Sequence, residues 1–359
     1  MKQLEIHGYK SIKDLVLPLR EINILIGANG SGKSNLLSFF VFLKTFYNRN
    51  LQESVALSGG MDKFLYMGRK ITSEISIKLL FPKNAYSFTL VAGEDAFVIT
   101  KEGLWYEANP HMPNPIDIAS FSKESRLQYA TEPRADYIRN YLSELKKYHF
   151  HDTSKNSPFT KVSNVKTGGH YLLPQGENLA AFLYTVSRQT PKNYNLIVQT
   201  IQTIAPYFRD FYLKPDENGN LSLKWQDKYS ENIYGATDLS DGTIRFIALT
   251  TLFMQPQLPQ TIILDEPELG LHPVAIAKLS GMIKSVAAKG CQIIVATQST
   301  DLISYFDVED IITVDQINGE SIYKRLSSDE LEDWLEEYTI DELWKRNMVH
   351  NGQPNNQEL

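Results

Sequence analysis

Lys33 and Ser34 close the run Gly27-Ala28-Asn29-Gly30-Ser31-Gly32-Lys33-Ser34, whose spacing fits G-x-x-x-x-G-K-[ST]. A loop of this kind wraps nucleotide phosphates. Its N–H groups point inward, its glycines let the backbone come close, and the dipole of the helix that follows favours negative charge. Lys33 is expected to reach the β- and γ-phosphates of ATP, and the Ser34 hydroxyl to ligate Mg²⁺. Asn29, Gly30, Ser31, Gly32 and Asn35 complete the expected nucleotide site. A second pair of chemical groups, Asp265 and Glu266, ends the apolar run 261–264. An apolar strand tipped with two carboxylates is the Walker B pattern. Asp265 would join the Mg²⁺ shell beside Ser34, and Glu266 would act as general base or water positioner at the γ-phosphate.

These residues need particular elements to hold them. Residues 21–26 read as a short buried strand and 35–46 as a helix, the context a phosphate loop requires. Residues 261–264 and 292–296 read as further buried strands. Between them a helix is expected over 274–288, and an apolar helical run over 244–249 follows Leu239-Ser240-Asp241-Gly242-Thr243. Parallel strands with helices between them predict an α/β nucleotide core. Residues 75–81, 86–91 and 97–100 are β-branched and aromatic, with turn residues between them, and predict an antiparallel part. The middle of the chain is broken by Pro158, Pro174, Pro191 and Pro206, which excludes a long coiled coil. Helices are expected there over 135–148, 179–188 and 193–204, with a strand pair over 211–214 and 221–225. The expected division is an N-terminal ATPase lobe over 1–110, an inserted, mostly helical subdomain over 111–235, a C-terminal ATPase lobe over 236–345 and a flexible polar tail over 346–359.

The chain has 359 residues, enough for a sizeable core, with ordinary hydrophobic (42%) and charged (22%) shares. A net charge of −6 means that any contact with nucleic acid must come from a local patch. Such a patch is offered by segment 123–170. Lys123, Arg126, Arg134, Arg139, Lys146, Lys147, Lys155, Lys161 and Lys166 outnumber five carboxylates there, and Tyr129, Tyr137, Tyr141 and Tyr148 interleave with them. Basic residues with aromatics can track a phosphate backbone, and a solvated helix face with core tyrosines would give the same composition. One cysteine, Cys291, excludes an internal disulfide and fits a reducing cytoplasm. No apolar run approaches membrane-spanning length. Trp334 on the acidic stretch 329–342, and Trp344 just beyond it, are expected to pack inward or at an interface.

Leu239-Ser240-Asp241-Gly242-Thr243 resembles the L-S-G-G-Q signature of ABC-type ATPases. The resemblance implies that Ser240 and Gly242 contact the γ-phosphate held by an opposite subunit, hence an ATP-dependent homodimer. Asp241 and Thr243 depart from that pattern, and Asp241 adds a negative charge. In the same enzymes a residue at the end of the 292–296 strand, usually His, touches the γ-phosphate. Here it is Gln298, which can donate a hydrogen bond but carries no charge. The resemblance places His272 at the dimer seam. Ile6-His7-Gly8-Tyr9-Lys10-Ser11-Ile12-Lys13-Asp14 resembles the opening of SMC, RecF and OLD-type ATPases, which implies that Lys10 and Ser11 lie near the nucleotide; the other reading is a lysine on a solvated hairpin. With Asp265-Glu266-Pro267-Glu268-Leu269-Gly270-Leu271-His272-Pro273 and Ala296-Thr297-Gln298-Ser299, the set resembles the free-standing bacterial "predicted ATPases" with an AAA-type core. The implied fold is a P-loop NTPase of ABC type, an α/β head with an antiparallel part in its first lobe.

Two functions stay open at this point. One is an ATP hydrolase whose two copies close head to head on ATP, serving DNA repair or phage defence. The other is a nucleotide-gated scaffold for a DNA or protein partner, with little turnover. If nucleic acid is cut, a separate nuclease or effector partner is expected to cut it, because too little chain follows Ser299 to build a metal-binding nuclease module.

Overall fold

The alternation of buried and exposed side chains in the first hundred residues drives a six-stranded antiparallel sheet. The computed structural model describes residues 1–106, 115–346 and 349, and orders that sheet as Ile12–Pro18, Gln3–Tyr9, Glu74–Leu80, Ala85–Ala92, Phe97–Trp105 and Ile116–Ala119. Leu4 and Ile6 in one strand, and Ile75, Ile77 and Leu79 in its neighbour, are buried on a period of two. The boundary expected at 110/111 and the polar run 351–357 lie outside the described residues.

The chain divides into two compact units, one of residues 1–145 with 292–359 and the other of residues 146–291. In the first unit a second sheet runs Glu320–Arg325, Ile311–Ile317, Ile22–Ile26, Gln292–Thr297. Ile22–Ile26 is parallel to both strands beside it and every residue in it is buried, so its sequence is a continuous apolar run apart from Asn23. Asn23 is satisfied internally, donating to Arg20 O (2.7 Å) and Ile293 O (3.1 Å). The helix Lys33–Tyr47 follows. Its buried residues include Leu36, Leu37, Phe39, Phe40, Phe42, Leu43 and Phe46, so apolar contact covers most of its circumference. Phe46 stacks on Phe88 of the antiparallel sheet with ring centroids 4.0 Å apart.

In the second unit the strand Thr261–Asp265 has the short strand Leu145–Tyr148 beside it, and the helices Leu179–Gln189, Pro191–Ile204, Asp241–Met254 and Pro273–Ala287 supply most of the mass. Phe208–Phe211, Lys224–Asp227 and Ile233–Gly235 form a small sheet. In it Trp225 stacks against Phe208 (5.9 Å) on one side and Tyr234 (5.0 Å) on the other. Cys291 is 3% exposed, and burial pushes its thiol pKa up to about 12.

Two local expectations are corrected and a third is narrowed. The helix expected over 135–148 stops at Ser143. Lys44 donates to the carbonyls of Leu142 and Ser143 at 2.8 Å each, satisfying the helix end, and Leu145–Tyr148 continues as a strand. The strand pair expected over 211–214 and 221–225 is shifted. Phe211 pairs with Trp225, whereas Leu221 pairs with Ser163 in a separate two-stranded ribbon. Trp334 is 47% exposed, so of its two expected placements it does not pack inward, and the placement at an interface stays open.

Candidate nucleotide site

The phosphate loop leaves the strand Ile22–Ile26 and enters the helix Lys33–Tyr47 at Gly32, the N-cap residue, with φ 116°. A Cβ at Gly32 would stand 2.0 Å from the Ser321 hydroxyl oxygen, so both the backbone conformation and the space demand glycine. Gly30, with φ 82°, supplies the other left-handed turn. Lys33 is 6% exposed, and its Nζ donates to the loop carbonyls Gly27 O (2.5 Å) and Ala28 O (2.9 Å). The ammonium therefore lies folded back over the loop. Asn29, Gly30 and Ser34 are exposed at the rim. The Ser31 hydroxyl is buried with no hydrogen-bond partner among the described residues.

The strand Glu320–Arg325 braces the loop from behind, a role that nothing in the sequence flagged. Ser321 Oγ donates to Ser31 O (2.7 Å) and Tyr323 OH to Gly32 O (2.9 Å). Burial raises the Tyr323 pKa above the usual phenol range, which keeps it a neutral donor. Ser11 joins this network: its hydroxyl accepts from Asn35 Nδ2 (2.6 Å) and is hydrogen-bonded to Ser321 Oγ (2.7 Å). Lys10, at φ 50°, donates to Ser38 Oγ (2.8 Å) one helical turn beyond Asn35. The Gly-Tyr-Lys-Ser turn thus packs on the first turns of the phosphate-loop helix. Gln298 is exposed and directly follows Thr297, which pairs in register with Ile26 at the root of the loop.

In the second unit Thr261–Asp265 is buried up to its last residue. Glu266 turns away with φ 40°, a left-handed conformation rare for a side chain with a Cβ. Three basic residues that sequence reasoning did not connect with Asp265 lie at this tip. Lys147 Nζ lies 3.7 Å from Asp265 Oδ2. The His151 ring nitrogen Nε2 donates to Asp265 O (2.6 Å). His149 stacks on His151 with ring centroids 4.4 Å apart. Burial lowers the His149 pKa below its ordinary value, helped by His151 and Lys147, while Asp265 pulls it the other way. The alternation Lys147-x-His149-x-His151 was the available signal, since a period of two puts one chemistry on one side of an extended segment.

Ser240 caps the helix Asp241–Met254, its side chain accepting from Thr243 N (3.2 Å). A Cβ at Gly242 would stand 2.4 Å from Gly270 O, so this glycine lets the helix start lie against the loop after Glu266. His272 caps the helix Pro273–Ala287. Among the described residues no group of three or more His, Cys, Asp or Glu could hold a metal by itself. A nucleotide-borne Mg²⁺ keeps waters and phosphate oxygens in its shell and asks the chain for only one or two ligands. In the first unit the exposed Ser34 hydroxyl, and in the second the Asp265 carboxylate, are each an oxygen ligand of the kind such an ion takes. Within segment 123–170, Tyr141 and Tyr148 are buried core residues and Arg139 is engaged with two carbonyls and Asp136. Tyr129 and Tyr137 remain exposed.

The fold is that of an SMC head. The chain superimposes with a TM-score of 0.61 on "the SmcHead bound to the C-winged helix domain of ScpA", covering 92% of this chain and 99% of that one at 17% identity. A second SMC head, solved with an extended coiled coil and bound to the C-terminal domain of ScpA derived from Pyrococcus furiosus, gives 0.55, covering 94% and 98% at 16% identity. In sequence the chain is 22% identical to the Old nuclease of Escherichia phage P2 over 93% of its own length, and spans 62% of that relative. Fold and sequence together define an SMC- and OLD-like ABC-type ATPase. The chain belongs to the family described as "AAA domain, putative AbiEii toxin, Type IV TA system", which it matches over residues 22–304.

Proposed function

We propose that this protein binds MgATP and hydrolyses it between two head-to-head copies. The observation that carries the reading is the phosphate loop itself: a buried strand, two left-handed glycines and a helix N-terminus, with Lys33 folded over the cradle. Lys33 holds the β- and γ-phosphates. Ser34 and Asp265 hold Mg²⁺, which when bound neutralises charge on those phosphates. Glu266 aligns the attacking water and takes its proton, and Gln298 donates to the γ-phosphate. Ser240 and Gly242 reach the nucleotide of the other copy, so a complete site needs two chains. In this reading residues 1–110 and 236–345 are the two ATPase lobes and 111–235 the insertion that meets a client. The setting is cytoplasmic. The client is DNA, touched through the exposed part of segment 123–170, and any cutting belongs to a separate nuclease or effector protein.

Phosphate release under multiple turnover tests the reading. Glu266→Gln is expected to bind ATP and to turn it over about 10²–10⁴-fold more slowly than the native chain. In the same variant, light scattering after size exclusion is expected to show a dimer with ATP and a monomer without. Equal turnover in the variant would remove Glu266 from the mechanism. One observation favours a second reading, a switch with little turnover: the exposed Asp241 puts a carboxylate in the first turn of the signature helix. Turnover in the native protein far below about 1 per second, unchanged by DNA, would select it.

A further inference from the structure

Arg245 lies in the helix that Ser240 caps, one turn beyond Asp241, and spends both terminal nitrogens on backbone carbonyls from two other segments. Nη1 donates to Leu269 O (2.6 Å), in the loop after Glu266, and Nη2 donates to His151 O (2.7 Å). The ring of that same His151 donates to Asp265 O. This carbonyl belongs to the peptide that joins Asp265 to Glu266, the point where the backbone enters its left-handed turn. Pinning the carbonyl fixes the peptide plane and so the direction in which the Glu266 side chain departs. The signature turn is joined to the same loop a second time, by the close approach of Gly242 to Gly270 O. All of these residues belong to one compact unit, residues 146–291.

We propose that Arg245 and His151 are positioning residues that couple the signature turn to Glu266 of the same chain. Contact of Ser240 and Gly242 with a nucleotide held by a second copy would then set the alignment of Glu266 in the first copy's own site. The two sites of the dimer become interdependent, and each hydrolyses efficiently only when the other is loaded. The inference rests on the head-to-head reading above.

The test uses the full chain with His151→Ala, His151→Gln, Arg245→Ala, Arg245→Lys and the His151→Ala/Arg245→Ala double variant. Each is measured for kcat, KM for ATP, affinity for a fluorescent ATP analogue, and ATP-dependent dimerisation in a Glu266→Gln background. His151→Ala and Arg245→Ala are expected to lower kcat about 10–100-fold, the scale of a catalytic group misplaced by about 1 Å. KM, analogue affinity and dimerisation should stay near native. The Hill coefficient for ATP should fall toward one. His151→Gln, which keeps an amide donor near the Nε2 position, should recover most of kcat. The double variant should be no worse than the poorer single one, as expected of residues acting through one chain of contacts.

Native kcat in both alanine variants, or losses that multiply in the double variant, would overturn the coupling. So would parallel loss of kcat and analogue affinity without rescue by Gln, the pattern of plain structural damage. If an alanine variant does not fold, His151→Gln and Arg245→Lys decide: recovery by the first and failure of the second to span both carbonyls are expected, and a native Hill coefficient in Arg245→Lys would count against the coupling. The Glu266→Gln control separates the two levels. If it is as active as the native chain, Glu266 leaves the mechanism and the coupling falls with it; if the native chain is inactive, the hydrolase reading itself falls. If Glu266→Gln is inactive while His151→Ala and Arg245→Ala match the native chain, only the coupling falls.

Discussion

Glu266 holds a conformation that its own backbone disfavours. For a residue with a Cβ, the left-handed region costs about 1–2 kcal/mol, and such strain persists where function requires it. Glu266→Gly is therefore expected to raise the melting temperature while abolishing phosphate release, a pair of opposite changes that calorimetry and a turnover assay would record together. Gly32 shows the reverse relation. At φ 116°, with the Ser321 hydroxyl 2.0 Å from where a Cβ would sit, Gly32→Ala should displace the loop from its brace and abolish binding of a fluorescent ATP analogue. The motif residues could be read from the sequence because a phosphate loop gathers its donors within eight consecutive positions. Arg245 and His151 could not. They are 94 residues apart, and each is an ordinary residue in its local context until the strand Thr261–Asp265 brings the segments together.

The element that positions the loop is the helix Lys33–Tyr47, held by apolar contact rather than by charge. Phe46, fully buried, stacks on the equally buried Phe88. Phe46→Ala is expected to cost about 3–5 kcal/mol, the usual range for a buried aromatic truncated in a core, measured as a shift of the denaturant midpoint. Helix and strand identities were largely legible because apolar spacing repeats over many residues: Lys33–Tyr47, Leu179–Gln189, Pro191–Ile204 and Pro273–Ala287 fall within two residues of expectation at each end. The failure at 144–148 has a physical cause. Leu145 and Tyr148 are spaced for a helix as well as for a short strand, and the choice was made by Lys44, a residue about 100 positions earlier, closing the helix at Ser143. The brace Glu320–Arg325 was illegible for a related reason, since Ser321 and Tyr323 carry no motif and matter only through the backbone they support.

At the scale of the whole molecule, ligand binding and folding are linked. MgATP at about 100 times its dissociation constant should stabilise the native chain by about 2.7 kcal/mol, seen as a rise in melting temperature. EDTA should remove most of that rise by depriving the triphosphate of its Mg²⁺, and Lys33→Ala should show none of it. The overall class was legible because the sequence order of phosphate loop, signature, acidic strand tip and final strand is itself a fold description. The client was not, because a surface patch depends on which tyrosines the core consumes, and Tyr141 and Tyr148 went to the core. The chain also has one experimental convenience. Its sole sulfhydryl, at Cys291, is shut away and held in its unreactive protonated form. A single cysteine placed on the surface would therefore take a maleimide dye alone, with no need to delete the native one. Fluorescence transfer between donor- and acceptor-labelled copies would then report whether two copies meet and part as ATP is added and consumed, in otherwise unaltered protein.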